Sequence, residues 1–216
     1  PEDFTLQPLD FTVPGDMSSA GFLLVAALTT PGSRVTLAGA NTNATRAGLL
    51  EMLQEMGGQI ELENEQIQAG EPVADVRVVH SNLRGVAVGG EVVVRMIDEF
   101  PIFAVAALRA RGKTVVRDAA ELRLKESDRI DSVVEEFAKL GARITPHPDG
   151  FEIDGPQTLR GGVVHSRRDH RLAMSLAVAG LSADGPVTVE DADELNESFP
   201  GFVETLQSLG ANIAWQ

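Results

Sequence analysis

The sequence predicts an α/β domain of three pseudo-symmetric repeats, with apolar helices in the middle and sheets outside. Three observations predict it. Apolar segments end alike at Ala26-Ala27-Leu28, Ala106-Ala107-Leu108 and Ala179-Gly180-Leu181, each followed four residues after its Leu by Gly32, Gly112 or Gly185. Each glycine opens a β-branched run, at Arg34–Leu37, Thr114–Val116 and Pro186–Val189. Each run leads to a stretch that closes on a glycine and then an isoleucine: Gly57 and Ile60, Gly141 and Ile144, Gly210 and Ile213. Recurrence of one supersecondary unit points to a repeat architecture. A solenoid fits poorly, because the three units are unequal and lack polar terminal caps.

In chain order, residues 1–14 are expected to be a crossover from a missing N-terminal domain. Thr5–Val13 either pairs where the third copy is short or belongs to that preceding domain. Residues 15–216 form one domain, its repeats spanning about 15–96, 97–166 and 167–216. The first helix of each repeat starts near Ser18, Pro101 or His170 and is apolar almost all round, as an interior helix must be. The second helix is amphipathic: Leu49, Leu50, Leu53 and Met56 line one face in copy one, Val133, Val134, Phe137 and Leu140 in copy two. The glycines at 57, 141 and 210 suit left-handed helix ends. Strand signals follow Ile60 and Ile144, then recur at Ala74–Val79 and Phe151–Ile153, with Gly85–Gly90 and Leu159–Gly162 as turn-rich linkers. Copy three reaches Gln216 without its final strands. The spacing Gly32 to Gly57 is 25 residues, as is Gly185 to Gly210, whereas Gly112 to Gly141 is 29. The extra residues of copy two fall just before its most unusual segment.

That segment is Leu124-Lys125-Glu126-Ser127-Asp128-Arg129-Ile130. Lys125 and Arg129, four apart, would share a helical face and repel by ~0.2–0.5 kcal/mol. Cations at a helix N-terminus also oppose its macrodipole. In a chain of net charge −14, basic clusters are scarce. A bound anion, a phosphate or carboxylate, accounts for this one. Arg167, Arg168 and Arg171 crowd the start of the most apolar helix in the same way; pairing of Arg171 with Asp169 or another acid is the structural alternative. Asp16, Asp98 and Asp169 each precede an apolar helix, where aspartate is a common cap. Asp98 is followed by Glu99, Phe100 and Pro101, so a cap and a desolvated catalytic base are both open readings. His170 reads as a packed or hydrogen-bonded residue before it reads as a base.

Composition sets bounds. The 216 residues are 43% apolar and 23% charged, enough for a real core. With no cysteine, disulfides, thiolate metal sites and a cysteine nucleophile are excluded, which fits a reducing compartment; the expected location is the cytoplasm. Net charge −14 argues against nucleic acid and anionic membranes as partners. No run of eighteen apolar residues and no basic-then-apolar leader occurs. His80, His147 and His165 lack ligand spacing, so no metal site is expected. Gly112-Lys113-Thr114 resembles the end of a P-loop, but Ala107 stands where glycine is needed, and G-x-G-x-x-G and G-x-S-x-G are missing. The chain begins at Pro1 and reads as a piece of something longer.

Four motifs in register carry a family resemblance: Gly15-Asp16-Met17-Ser18-Ser19-Ala20, Lys125-Glu126-Ser127-Asp128-Arg129, Asp169-His170-Arg171-Leu172-Ala173-Met174 and Ser198-Phe199-Pro200-Gly201-Phe202. Together they resemble 5-enolpyruvylshikimate-3-phosphate synthase, over essentially the whole chain but only about the C-terminal half of a family member. The resemblance implies an inside-out α/β barrel, one of two such domains facing each other across a cleft. It implies transfer of the enolpyruvyl group of phosphoenolpyruvate to the 5-hydroxyl of shikimate 3-phosphate, by addition and elimination through a tetrahedral intermediate, without cofactor. This is a step of the shikimate pathway to chorismate and the aromatic amino acids. By resemblance Asp98 is the base and binds substrate hydroxyls, Lys125 bridges both substrates, Glu126 protonates the methylene carbon, and Arg129 and Arg171 grip phosphoenolpyruvate.

The chain also departs from the pattern. Glu197 stands where some members have a phosphate-contacting lysine, and Glu121 where some have a substrate-contacting asparagine. Most shikimate-phosphate contacts of the family lie in the other half, so the chain alone is expected to fold but to turn over negligibly. The rival readings are a UDP-sugar enolpyruvyl transferase, which usually lacks the Lys-Glu-Ser-Asp-Arg segment, and a noncatalytic domain of the same fold, which would be expected to have lost Asp98 or an arginine.

Overall fold

The computed structural model describes residue 8 and residues 10–215. In order, the chain forms α1 (Met17–Thr29), β1 (Arg34–Asn41), α2 (Gly48–Glu55), β2 (Gln59–Gln68), β3 (Glu71–Val79), β4 (Ala87–Val88), α3 (Glu91–Arg95), α4 (Phe100–Arg109) and β5 (Gly112–Val116). A 3₁₀ turn over Ala120–Leu124 precedes α5 (Arg129–Lys139), followed by β6 (Ile144–His147), β7 (Gly150–Gly155) and β8 (Arg160–His165). The last elements are α6 (His170–Gly180), β9 (Asp184–Glu190), α7 (Leu195–Ser198) and α8 (Phe202–Ser208).

The apolar helices are where their composition sends them. Helices α1, α4 and α6 pack on one another and are buried nearly all round. Outside them α1 rests on β1 and β3, α4 on β7, and α6 on β8 and β9. The amphipathic helices cover this core with one face each. In α2, Leu49, Leu50 and Leu53 point inward, with Met56 just beyond the helix; in α5, Ile130, Val133 and Phe137 do so, followed by Leu140. Gly57, Gly141 and Gly210 have φ of +87°, +86° and +94°, the left-handed endings the sequence calls for.

Three sheets surround the helices. Their orders are β1-β3-β2, β4-β5-β7-β6 and β8-β9. The pairs β4–β5 and β8–β9 are parallel, and Gly15 makes a single parallel bridge to Ala40 of β1. Each repeat thus begins with a parallel neighbour, reduced to one residue in the first. The first two sheets add two antiparallel strands; among the described residues the third adds none, so one edge of β9 is open.

Two expectations change. The segments read as linkers, Gly85–Gly90 and Leu159–Gly162, contain β4 and the start of β8. Their glycines serve close backbone approach: a Cβ on Gly85 would stand 2.2 Å from the Lys113 carbonyl oxygen, and one on Gly161 2.6 Å from that of Pro186. Of the Thr5–Val13 stretch, residues 5–7 and 9 lie outside the described residues, and residues 10–13 form no strand. Thr12 lies by the first sheet, its carbonyl accepting from the Gln68 side chain of β2 at 2.8 Å. Among the described residues no helix is long and apolar enough to cross a membrane.

The close approach at Gly85 has a measurable consequence. Neither backbone can yield without breaking the parallel pairing, so Gly85→Ala is expected to destabilise the domain by about 2–3 kcal/mol. Urea unfolding should show a lowered midpoint with an unchanged slope.

Candidate active site

The starts of the three central helices meet at one end of the domain, and the unusual residues are there. Asp16 caps α1, accepting from the Ser18 and Ser19 amides at 3.3 and 2.8 Å. Asp98 and Glu99 precede α4, and Asp169 caps α6 through the Arg171 and Leu172 amides at 3.0 and 3.3 Å. Contacts between these termini show the convergence: Asp98 and Glu99 face Arg171 of α6, and a Cβ on Gly21 of α1 would come within 3.8 Å of Glu99. Three positive dipole ends therefore point at one region.

Asp98 is the hub. Its Oδ1 lies 3.5 Å from Lys125 Nζ and 3.1 Å from Arg129 Nη1, and its Oδ2 is 3.9 Å from Arg171 Nη2. Glu126 joins through Arg129 at 2.7 Å. All five residues singled out by sequence, Asp98, Lys125, Glu126, Arg129 and Arg171, thus share one wall. The local premise differs from the expected one. Lys125 follows the 3₁₀ turn and precedes α5, so it shares no helical face with Arg129; a bend in the chain brings both cations to one carboxylate oxygen. Glu121 pairs with Lys125 at 2.9 Å, which gives it a role as the ammonium's anchor.

The two arginines differ. Arg129 is 1% exposed and spends four of its five N–H donors on acids. Its Nε and Nη2 donate to Asp169 at 2.8 and 3.3 Å, Nη1 to Asp98 at 3.1 Å and Nη2 to Glu126 at 2.7 Å. Asp169 also accepts from the Ser127 hydroxyl at 3.1 Å. Arg171 is different: the carboxylates nearest its guanidinium, on Asp98 and Glu99, are both 3.9 Å away, beyond hydrogen-bonding range. Its donors remain available to a ligand. Of the three arginines near α6, Arg167 turns away to Glu135 and Glu136 at 2.7 and 2.6 Å.

Burial and charge push the two adjacent acids apart. Burial raises the Asp98 carboxyl, but Arg171, Lys125 and Arg129 outweigh it and hold the group below its ordinary value. Glu99, almost fully buried, is pushed up by desolvation despite the Ser18 hydroxyl and Arg171. Lys125 is raised, chiefly by its bond to Glu121, and stays an ammonium. Burial, assisted by Arg171, depresses His170, so its imidazole is neutral at neutral pH. Sequence reasoning missed Asp169 as the partner of Arg129, 40 residues away, and Glu136 altogether. For Glu136 a signal existed: it lies three residues after Val133 and seven after Arg129, inside the apolar stripe of α5, where a lone acid is out of place.

A buried three-helix bundle, sheeted outside, with acids at its helix starts and Lys125, Arg129 and Arg171 gathered against them, defines a domain of the enolpyruvyl transferase class. The enolpyruvyl transferase NikO of Streptomyces tendae shares the fold, with a TM-score of 0.74 at 20% identity over 92% of this chain and 43% of that one. A closer match is EPSP synthase of Acinetobacter baumannii, TM-score 0.90 at 40% identity over 93% of this chain and 47% of that structure. The 3-phosphoshikimate 1-carboxyvinyltransferase of Synechococcus elongatus is 52% identical over 209 residues, 97% of this chain and 46% of its own length. The sequence model of EPSP synthase (3-phosphoshikimate 1-carboxyvinyltransferase) matches residues 1–206, and the chain belongs to that family. It spans about half the length of the relatives it matches.

Two outcomes separate the roles of the charged groups. Arg129→Ala leaves Asp169 buried and unpaired and is expected to cost about 3–5 kcal/mol, whereas Arg171→Ala should cost under about 1 kcal/mol; chemical denaturation of both variants checks this. For Glu99, a raised value means the fold prefers its protonated form. That contribution is whole below the ordinary value of 4.5 and is lost as pH rises through the folded value. Glu99→Gln, which keeps the neutral shape, should therefore raise Tm at neutral pH, with the gap to the parent closing as pH falls toward 4.5.

Proposed function

We propose that this domain is one wall of a cleft in which the enolpyruvyl group of phosphoenolpyruvate is transferred to the 5-hydroxyl of shikimate 3-phosphate. The observation that carries this is Arg171: a mostly buried guanidinium that, among the described residues, has no acid within hydrogen-bonding distance, beside the Asp98 hub and three helix N-termini. Such a place suits a small, doubly charged acid. Family membership supports phosphoenolpyruvate as that acid.

In this reading Asp98, held ionised by its three cations, accepts the 5-hydroxyl proton as the oxygen bonds to C2 of phosphoenolpyruvate. Glu126, which takes up a proton once substrate displaces it from Arg129, gives that proton to C3 as the C2–C3 electron pair takes it up, leaving the tetrahedral intermediate and a Glu126 carboxylate. That carboxylate takes a C3 proton back, restoring the double bond as the C2–O bond to phosphate breaks, and the proton held by Asp98 leaves with the phosphate. Lys125 bridges both substrates and offsets charge on the oxygens. Arg171 takes the phosphoenolpyruvate anion directly. Arg129 has five N–H donors and spends four, so substrate reaches it by replacing the Glu126 carboxylate. Exchange of one anion for another leaves the buried guanidinium paired throughout. It also frees Glu126 to face the methylene carbon.

The second wall comes from the other half of the family length, since the chain spans about half of the relatives it matches. The open edge of β9 supports a partner segment. Beside it lies a groove of about 1240 Å³ whose lining includes Val187, Val189, Leu206, Ile213 and Trp215. Where the other two sheets carry antiparallel strand pairs, the third, among the described residues, offers unpaired backbone, which invites strand addition.

The test is phosphate release from phosphoenolpyruvate and shikimate 3-phosphate, by the chain alone and mixed with a separately expressed N-terminal half. Negligible turnover alone and measurable turnover in the mixture are expected, with Asp98→Asn in the mixture falling about 10²–10⁴-fold. Turnover by the chain alone would overturn the two-wall reading, and an active Asp98→Asn mixture would remove Asp98 from the chemistry.

A further inference from the structure

The turn that delivers Asp169 and Arg171 is strained. Arg167 and Arg168, side by side, have φ of +55° and +58°, left-handed backbone that non-glycine residues avoid. Such a conformation persists only where the surroundings hold it. Here Ser166 accepts from the Arg168 amide at 3.1 Å and donates its hydroxyl proton to the Asp191 carbonyl, and the Asp169 amide bonds back to the Ser166 carbonyl at 3.0 Å. The strongest external hold is on Arg167. Its Nε donates to Glu136 Oε1 at 2.6 Å and its Nη2 to Glu135 at 2.7 Å.

Glu136 is built for this hold. Its side chain is fully buried, and its other oxygen accepts from Lys139 Nζ at 2.7 Å and from the His165 amide at 2.8 Å. So one carboxylate grips the last residue of β8 and the first left-handed residue of the turn. Glu136 also lies seven residues after Arg129 on α5, two turns along the same face, about 10 Å away. The α5 helix is thereby fastened to the segment leading into α6 at two points, Arg129 to Asp169 and Glu136 to Arg167.

We propose that the Glu136–Arg167 pair is a positioning device, holding the turn left-handed and thereby fixing where Arg171 stands relative to Arg129. It rests on the reading of those two arginines as the anion grip. Neither Glu136 nor Arg167 touches substrate; both act through Asp169 and Arg171. One fastening alone would leave the turn free to pivot about Asp169, and Arg171, two residues beyond, would swing with it.

Two readouts test this. In the ¹⁵N-labelled chain, the Arg129 Nε–H resonance, assigned by its loss in Arg129→Lys, reports the bond to Asp169 without any turnover. Glu136→Gln and Arg167→Ala should shift that resonance and speed its solvent exchange about tenfold, with the amide signals of α1 and α4 unmoved. In the mixture with the N-terminal half, both variants should raise KM for phosphoenolpyruvate about tenfold and change kcat less than threefold. Arg167→Gly, which takes the left-handed conformation freely, should recover most of what Arg167→Ala loses. Equal losses for Ala and Gly at 167, or an unmoved Arg129 resonance in Glu136→Gln, would overturn the proposal. Should the unsubstituted mixture show no turnover, the transferase reading fails while the resonance still decides the role of the pair. Since Arg167 is on the surface, its variants keep the test open if Glu136→Gln does not fold.

Discussion

The buried pairing of Arg129 with Asp169 is the constraint on which the site depends. It joins the start of α5 in the second repeat to the start of α6 in the third. Two charges removed from water are a poor source of net stability, and apolar groups of the same shape often hold a fold as well. A planar guanidinium, however, fixes orientation as a methyl group cannot. With Asp169 behind it, the Arg129 fork presents its remaining edge to Asp98 and Glu126. Asp98 in turn gathers Lys125 and faces Arg171. Remove the pair and the hub loses its fixed side.

Arg129 and Arg171 look alike in sequence, each a cation at a helix start in an acidic chain. Folding gives them opposite roles. Arg129 is enclosed, so its charge is a fixed part of the scaffold whose partners are exchanged and never lost. Arg171 is left short of partners because the two acids nearest it are otherwise disposed. Asp98 leans to Arg129 and Lys125, and Glu99 is driven toward its neutral form by burial. The Glu99 carboxyl accepts from the Ser18 hydroxyl and stays 3.9 Å from the guanidinium, which leaves the Arg171 donors to a ligand.

Much of this was legible in the chain. The repeat, the three apolar helices and their glycine endings followed from apolar periodicity and left-handed caps, which are local properties. The site residues were legible because misplaced charge is also local: Lys125, Arg129 and Arg171 stand where helix dipoles disfavour them. What sequence could not give was partnership. Asp169 and Arg129 are 40 residues apart, and Arg167 and Glu136 are 31 apart, so nothing in local pattern ties them. The strands β4 and β8 were read as linkers because glycine signals turns and close approach alike, and only the neighbouring backbone tells them apart.

The three-fold symmetry also explains why only one repeat carries the hub. Aspartate precedes the central helix in every copy; in the first it caps that helix with both oxygens, and in the third Oδ1 caps while Oδ2 accepts from Arg129 and Ser127. In the second copy that position is Glu99, which makes no side-chain cap, and Asp98 one residue earlier is left free of the helix. The extra residues of this copy form the 3₁₀ turn and the bend that carry Lys125 over to it. A spare carboxylate and a lengthened connection, both departures from the repeat, together make the charged centre. Where the repeat is obeyed the chain builds a core; where it is broken, chemistry becomes possible.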